Sequence, residues 1–370
     1  MQIGIPKEIK NNERRVAITP NGVQLLVRDG HEVIIEQEAG TEAGFTNQLY
    51  EEAGASIVVS AQEVWAADMV IKVKEPQESE YGFFRDDLIL FTYLHLANEP
   101  ALTSALKASG ITAIAYETMM DEKGGLPILT PMSIVAGRLA PQLGAHYLQS
   151  PQGGEGVLIG GVPGVQNGKV VIIGGGVAGQ NALQIAKGLG AHVTILDVKL
   201  DVLQRIEDIY GQDVVTLMSN QLNIAKAVKE ADVVIGAVLI PGSKAPKLVS
   251  EAMVSEMKPG SVIIDIAIDQ GGIFETVDRT TSHDDPVYQK YGVLHYAVPN
   301  MPGAVPRTST IALTNVTIPY AIKIARQGFL AACKLDQMIY TGVNIYQGHT
   351  TNENVAMAFE QQFTPLADLL

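Results

Sequence analysis

At 370 residues the chain exceeds what one hydrophobic core usually serves, so two domains are expected. A composition of 46% hydrophobic and 18% charged residues, with 36 glycines, suits a globular α/β protein and excludes disordered and fibrous classes. The formal charge of −14, with no basic stripe, argues against a nucleic-acid partner, and a single cysteine, Cys333, excludes an intrachain disulfide or a multi-cysteine metal site.

The N-terminus, Met1-Gln-Ile-Gly-Ile-Pro-Lys-Glu8, runs straight into strand-like sequence without the basic segment and apolar core of a signal peptide. Every long apolar run is broken by Gly, Pro or charge within about 18 residues, so no membrane span is expected and a cytoplasmic protein is. Strand-like Gln2 to Ile5 is followed by a helical run, Pro20 to Arg28, and a second strand, Glu32 to Glu36. Thr19-Pro20 reads as a helix start and Gly30 as its stop. Before that helix stand Arg14 and Arg15: a guanidinium there could clamp a substrate carboxylate bidentately, or both could be solvated loop residues.

Further strands are expected at Met69 to Val73, Leu88 to Tyr93 and Thr112 to Tyr116, with a helix at Pro100 to Ala108. Lys72 and Lys74 fall at the end of the first of these and Tyr93 and His95 at the end of the second, where ligands bind in open α/β sheets. His95 is readable as a satisfied core histidine or as an acid/base group. With a carboxylate clamp and a carbonyl polariser, it would suit redox chemistry on a small oxo acid.

From Pro131 to about Gln149 a helical pattern leads into a glycine-rich connection, 151–164, and a second α/β series. Its strands are expected near Lys169 to Ile173, His192 to Leu196, Val214 to Leu217, Asp232 to Val238, Ser261 to Ile266 and Val293 to Val298. Directly after the first, Gly174, Gly176 and Gly179 supply G-x-G-x-x-G at the opening of a helical run, and the second ends in Asp197. Gly174 would make the tight turn, Gly176 would admit a pyrophosphate, and Gly179 would let helix and strand approach. Asp197 would accept from both adenine-ribose hydroxyls and repel a 2′-phosphate, which predicts NAD over NADP; the bland alternative is an ordinary glycine turn with a solvated aspartate. Two last helical runs, Thr308 to Arg326 and Phe329 to Thr341, could not bury themselves alone and are expected to pack on the first domain. The expected domains are therefore residues 1–130 with 306–370, and a Rossmann NAD-binding domain, 131–305, inserted between them.

Gly4-Ile-Pro-Lys-Glu8, Asn12-Glu13, Arg15-Val-Ala-Ile-Thr-Pro20 and Gly22-Val23 resemble the N-terminal signature of the family of bacterial alanine dehydrogenases and the NAD-binding subunit of proton-translocating transhydrogenase. A second signature runs from Ile172 through Gly174-Gly-Gly-Val-Ala-Gly179 to Leu189-Gly-Ala-His-Val193 and Asp197. The likeness extends to at least Arg326 through Gly160-Gly-Val-Pro-Gly164, Lys244-Ala-Pro-Lys-Leu248, Asp265-Ile-Ala-Ile-Asp-Gln-Gly-Gly272 and Asn300-Met-Pro-Gly-Ala-Val-Pro306. One position departs from the pattern, Val202, where the family often carries a basic residue near the adenosine end of the cofactor.

The resemblance implies NAD-dependent interconversion of L-alanine with pyruvate and ammonium by a homohexamer, with the substrate in a cleft between the domains and no metal. It places the carboxylate-binding arginine on Arg15, the substrate-binding lysine on Lys74, and the catalytic pair on His95 and Asp269. Its cofactor contacts fall on Ser133, Val177, Ala178, Asp197, Ser219, Val238, Leu239, Ile266, Ala267, Ile268, Asp269, Val298, Pro299, Asn300 and Met301. In Ile263-Ile-Asp-Ile-Ala-Ile-Asp-Gln-Gly-Gly272, Asp269 is expected at a strand's carboxyl end and Asp265 deeper, as a hydrogen-bonded structural group. Leu129 and Met132 would line a methyl pocket or simply pack the core, and Glu117 would orient Lys74. Competing readings are the transhydrogenase subunit, a lysine- or saccharopine-type dehydrogenase and a non-enzymatic NAD sensor.

Overall fold

The apolar, β-branched runs become the strands of two separate sheets. The structure, a computed structural model, describes residues 1–238 and 245–370. The chain forms two compact units, Met1–Met132 with Val305–Leu370, and Ser133–Ala304. In chain order the strands are β1 (Gln2–Ile5), β2 (Glu32–Glu36), β3 (Ser56–Val58), β4 (Met69–Ile71), β5 (Ile89–Thr92) and β6 (Thr112–Ala115). The second unit contributes β7 (Lys169–Ile173), β8 (His192–Asp197), β9 (Val214–Met218), β10 (Val233–Gly236), β11 (Val262–Asp265), β12 (Val287–Lys290) and β13 (Val293–Tyr296). Finally β14 (Val343–Tyr346) and β15 (His349–Thr350) return to the first unit.

The first sheet has the order β15-β14-β6-β5-β4-β1-β2-β3, parallel from β6 to β3 and antiparallel where β14 and β15 join its edge. Strands β4, β5 and β6 are buried at every position, as parallel strands covered on both faces must be. Read from β3, the order runs back to β1 and then jumps to β4, so the topology reverses between β1 and β4. In open α/β sheets such a reversal opens a crevice at the carboxyl ends of the strands.

The C-terminal segment completes this unit. Helix Pro306–Gln327 buries Leu313, Ile318, Ala321 and Ile324, and it lies so close to helix Pro20–Arg28 that a Cβ on Gly22 would stand 3.2 Å from Ile318. Helix Pro20–Arg28 starts as its sequence requires, the Thr19 hydroxyl accepting from the Gly22 N–H at 3.2 Å. The last expected helix, Phe329 to Thr341, is instead two helices, Phe329–Leu335 and Gln337–Gly342. Asp336 breaks it, because its carboxylate caps the second helix by accepting from Met338 and Ile339.

The second sheet has the order β12-β13-β11-β10-β7-β8-β9, parallel except for β12 on β13, with its reversal between β7 and β10. Strand alternation sends Val170, Ile172, Val233, Ile235 and Ile264 into one core and Val171, Ile173, Val234 and Ile263 into another, one on each face. Each sheet is thus a doubly wound unit of α/β type.

Candidate functional site

In the first unit the candidate substrate groups follow the carboxyl ends of β1 and β4, which flank the reversal, and of the next two strands, β5 and β6. Arg15 stands in the segment after β1, Lys74 after β4, His95 after β5 and Glu117 after β6. The two arginines separate cleanly: Arg14 is exposed, whereas Arg15 is only 2% exposed. Glu13 grips the Arg15 guanidinium along one edge, accepting from Nε at 2.7 Å and from Nη2 at 2.6 Å. Burial pushes the Glu13 carboxyl up, but Arg15 and the charge of Lys74 outweigh it and hold the group at about 2. Arg15 therefore keeps its charge in a dry setting and its plane in one orientation. Its Nη1 meets the Met132 thioether at 3.1 Å, which puts Met132 beside the carboxylate clamp. Leu129, three residues earlier, is half-buried.

Lys72 and Lys74, two residues apart, have different fates. The Lys72 ammonium is buried between Glu8 at 3.3 Å and Glu80 at 2.9 Å, where burial opposes its charge and the two carboxylates more than restore it. Lys74 is half-buried and adds to the field on Glu13 and Glu75, so it is the lysine that shares the Arg15 neighbourhood.

His95 adopts the left-handed backbone conformation, φ 49° and ψ 36°, which costs a non-glycine residue on the order of 1 kcal/mol or more. Glu117 stabilises it. Expected to orient Lys74, Glu117 accepts from the His95 N–H at 2.6 Å and the Leu94 N–H at 3.2 Å, and its Oε1 lies 4.0 Å from His95 Nδ1. The imidazole stacks on Tyr93, whose ring is parallel to it within 2° at a centroid distance of 5.7 Å. The Tyr93 hydroxyl in turn donates to the Ile128 carbonyl at 2.9 Å. The His95 backbone is thus held by Glu117 and its ring packs on Tyr93, with 41% of the side chain exposed to meet a ligand.

In the second unit the expected cofactor residues gather along the carboxyl edge of the second sheet. Gly174 follows β7 with φ +105°, a conformation that favours glycine, and a Cβ at Gly179 would lie 1.8 Å from the Gly174 carbonyl oxygen. Gly176 opens helix Val177–Gly188 with no side-chain cap, and a Cβ there would meet nothing within 4 Å. A helix N-terminus without a side-chain cap, beside open space, is what a pyrophosphate needs. Val177 is exposed and Ala178 half-buried. A Cβ at Gly137 would stand 2.2 Å from the Ala178 carbonyl, so helix Thr130–Tyr147 passes against this turn, and Ser133 lies one helical turn before Gly137.

Asp197, the last residue of β8, accepts from Gly175 N–H at 2.6 Å and Lys199 N–H at 2.8 Å. A carboxylate offers about four acceptor positions, so two ribose hydroxyls can be added. Val202 is the apolar neighbour of this turn, its Cγ1 2.7 Å from the Cβ position of Gly175. Ser219 follows β9 and donates its N–H to the Asp197 carbonyl at 2.9 Å; Val238 follows β10. Leu239, and Lys244 of the motif quoted above, lie outside the described residues. After β13 come Val298, Pro299, Asn300 and Met301; Val298 and Met301 are core residues, which leaves their backbone for a ligand. Asn300 takes a left-handed φ of 61°.

Of the two aspartates of Ile263–Gly272, Asp265 is the deeper, hydrogen-bonded one as expected, but Asp269 lies beyond the end of the strand and not at it. The strand stops at Asp265, not beyond it, and Ile266–Gln270, with Ala267, Ile268 and Asp269, coil into a short 3-10 turn. Asp265 is completely buried and Asp269 is exposed on the turn. Sequence reasoning missed the Glu117–His95 and Glu13–Arg15 pairings. The second left a local signal, an acid two residues before an arginine within a buried segment. Among the described residues no group of His, Cys, Asp or Glu has the arrangement of a metal site.

Comparisons with known proteins follow the same division. Residues 4–136 match the family description "Alanine dehydrogenase/PNT, N-terminal domain" and residues 140–353 match "Alanine dehydrogenase/PNT, C-terminal domain". The chain is 59% identical to an alanine dehydrogenase of Bacillus subtilis strain 168 over 99% of this chain and 96% of that protein. It is also 59% identical to an alanine dehydrogenase of Staphylococcus epidermidis over the full length of both. A solved L-alanine dehydrogenase superposes with TM-score 0.94 at 52% identity, covering 97% of this chain and 99% of that one. A transhydrogenase from Sinorhizobium meliloti has the same fold, with TM-score 0.81 at 24% identity over 95% of this chain and 99% of its own.

Proposed function

The chain belongs to the alanine dehydrogenase/PNT family, and on that premise we propose that it interconverts L-alanine with pyruvate and ammonium, Arg15, Lys74, His95 and Asp269 carrying the chemistry. It is an NAD-dependent oxidoreductase; the cofactor, when bound, supplies the hydride acceptor. The observation that carries the activity is identity of 59% along the whole length to alanine dehydrogenases, against 24% to the transhydrogenase.

The residues divide the work by their chemistry. Arg15, oriented by Glu13, receives the substrate carboxylate, a role for which a planar guanidinium is better shaped than an ammonium. Lys74 stabilises negative charge on the substrate oxygen. Loss of hydride from Cα leaves an iminium, to which water adds; the carbinolamine then collapses to pyruvate and ammonia. Each of these steps moves a proton, and His95, its backbone held by Glu117 and its ring stacked on Tyr93, is the acid/base that accepts and returns it. Asp269 stabilises the cationic nitrogen of the iminium and of the departing amine. Ser133, Gly174, Gly176, Val177, Ala178, Gly179, Asp197, Ser219, Val238, the 266–269 turn and 298–301 are the residues that would hold NAD. Asp197 accepts from the ribose and repels a 2′-phosphate.

No helix among the described residues is long and apolar enough to cross a membrane. With the family relationship this supports a cytoplasmic homo-oligomer, a hexamer, which light scattering after gel filtration tests. The decisive assay follows NADH absorbance with purified protein, pyruvate and ammonium. Ammonium-dependent oxidation, absent or weak with NADPH, is expected. NADH binding without turnover would move the assignment to hydride relay or sensing. His95→Ala should lower turnover by about 10²-fold or more while NADH still binds, and normal turnover in that variant would remove His95 from the mechanism.

A further inference from the structure

The buried aspartate has no place in the chemistry above, yet its carboxylate closes the loop that carries Asp269. Asp265 Oδ1 accepts from the Ala267 N–H at 3.1 Å and Oδ2 from the Ile273 N–H at 3.0 Å, so one side chain grips the loop at both ends. From outside, the exposed Lys247 donates to the Gly271 carbonyl at 2.7 Å and the Phe274 carbonyl at 2.9 Å. Gly272 makes the inner grip sterically feasible, since a Cβ there would lie 2.3 Å from Asp265 Oδ2. Burying a carboxyl group is costly, and burial pushes Asp265 up to about 7 despite the two N–H donors and Lys247.

We propose that Asp265 and Lys247 are positioning residues for the reaction, clasping the 266–272 loop from inside and outside so that Asp269 is presented in one reactive place. The inference rests on the reading of Asp269 as a catalytic residue. It explains why two aspartates four apart share one apolar segment: the inner one sets the loop, and the outer one acts. A displacement of about 1 Å in a catalytic group can cost about 10²-fold in rate, so a loosened clasp is visible in kcat.

The test is a mutant cycle on the full-length protein, reading kcat, KM for pyruvate, NADH binding by fluorescence and thermal melting. Asp265→Asn replaces one acceptor by a donor and should lower kcat about tenfold or more with little change in KM for pyruvate. Lys247→Met should give a smaller loss in the same direction with little loss of Tm, and it carries the test alone if Asp265→Asn does not fold. In an Asp269→Ala background neither substitution should lower kcat further, because the group being positioned is gone. Equal fold-losses with and without Asp269 would overturn the inference, as would near-normal kcat in both variants while Asp269→Ala is inactive. Normal turnover in Asp269→Ala would remove the catalytic reading of Asp269, and this inference with it.

Discussion

Two of the candidate substrate groups of the first unit, Arg15 and His95, are each held by a neighbouring carboxylate. Glu13 fixes Arg15, Glu117 fixes His95, and in each case the acid is the less exposed partner or uses its oxygens on backbone N–H groups. Such acids were hard to read from the sequence. A lone glutamate after a strand carries no periodic signal, and only the fold brings Glu117 across to a histidine 22 residues away. Arg15 and His95, in contrast, stood out by residue type, Arg15 before a capped helix and His95 at a strand end, but it was the family resemblance that chose Arg15 over a solvated loop arginine and His95 over a core histidine.

A different buried group, His295, makes the stability of the second unit sensitive to pH. Its ring is fully buried in β13, stacked on Tyr288, with Nε2 2.8 Å from the Thr276 hydroxyl and Nδ1 2.9 Å from the Val293 carbonyl. Burial lowers its pKa to about 4, below the 6.5 of an exposed imidazole. As pH falls through 6.5 the unfolded chain takes up the proton first. The contribution of the neutral ring is therefore complete above pH 6.5 and is lost as pH falls toward 4, on the order of 3 kcal/mol in all. Asp265, raised to about 7, has the opposite dependence: its contribution is greatest at low pH and is lost as pH rises through 7. Wild type must therefore be compared with His295→Gln, in melting curves from pH 7.5 to pH 5. The wild type should lose more Tm over this interval than the variant, and parallel losses would exclude His295 as the source.

At the scale of elements, the segments with strong periodicity or clear punctuation were legible. Helix Pro20–Arg28 is bounded by Thr19-Pro20 and by Gly30 at φ +85°, and the β7–helix–β8 unit follows its glycine spacing. Strand ends were less legible, since β4 stops at Ile71 and β11 at Asp265, where side chains begin to bind the backbone. Strands β14 and β15 were not legible: four and two residues long, they become strands by pairing with an existing edge. The glycines of the first turn make a sharper prediction, because Gly176 and Gly179 look alike in sequence and differ in space. Gly179→Ala puts a methyl against the Gly174 carbonyl, which cannot yield without moving the helix from β7. It should cost about 1–3 kcal/mol and weaken NADH binding. Gly176→Ala meets open space and should change stability by no more than about 0.5 kcal/mol. If it nevertheless weakens NADH binding at least tenfold, the phosphates sit against that backbone; unchanged binding would place them elsewhere.

At the scale of the whole molecule, the two units differ in how the chain builds them. The second is contiguous, and both faces of its sheet have cores made of its own residues, from Ala136 to Met301 on one side and from Val171 to Ala297 on the other. The first needs both chain ends: β14 hydrogen-bonds to β6, the Val16 N–H donates to Thr310, and helix Pro306–Gln327 buries an apolar face. The candidate cofactor residues all belong to the second unit, from Ser133 to Met301, whereas Arg15, Lys74 and His95 belong to the first. A fragment of residues 130–304 should therefore fold cooperatively and bind NADH without turning over pyruvate. A fragment ending at residue 304 but keeping 1–130 should retain only the stability of the second unit, because removing 305–370 strips the β6 edge and exposes the face that Leu313, Ile318 and Ile324 cover. Calorimetry of both fragments separates the cases: one cooperative transition in the first, and in the second the same transition with no additional one. A second transition in the longer fragment would show that residues 1–130 fold without the C-terminal segment, and that the discontinuity of the first unit is dispensable for its stability.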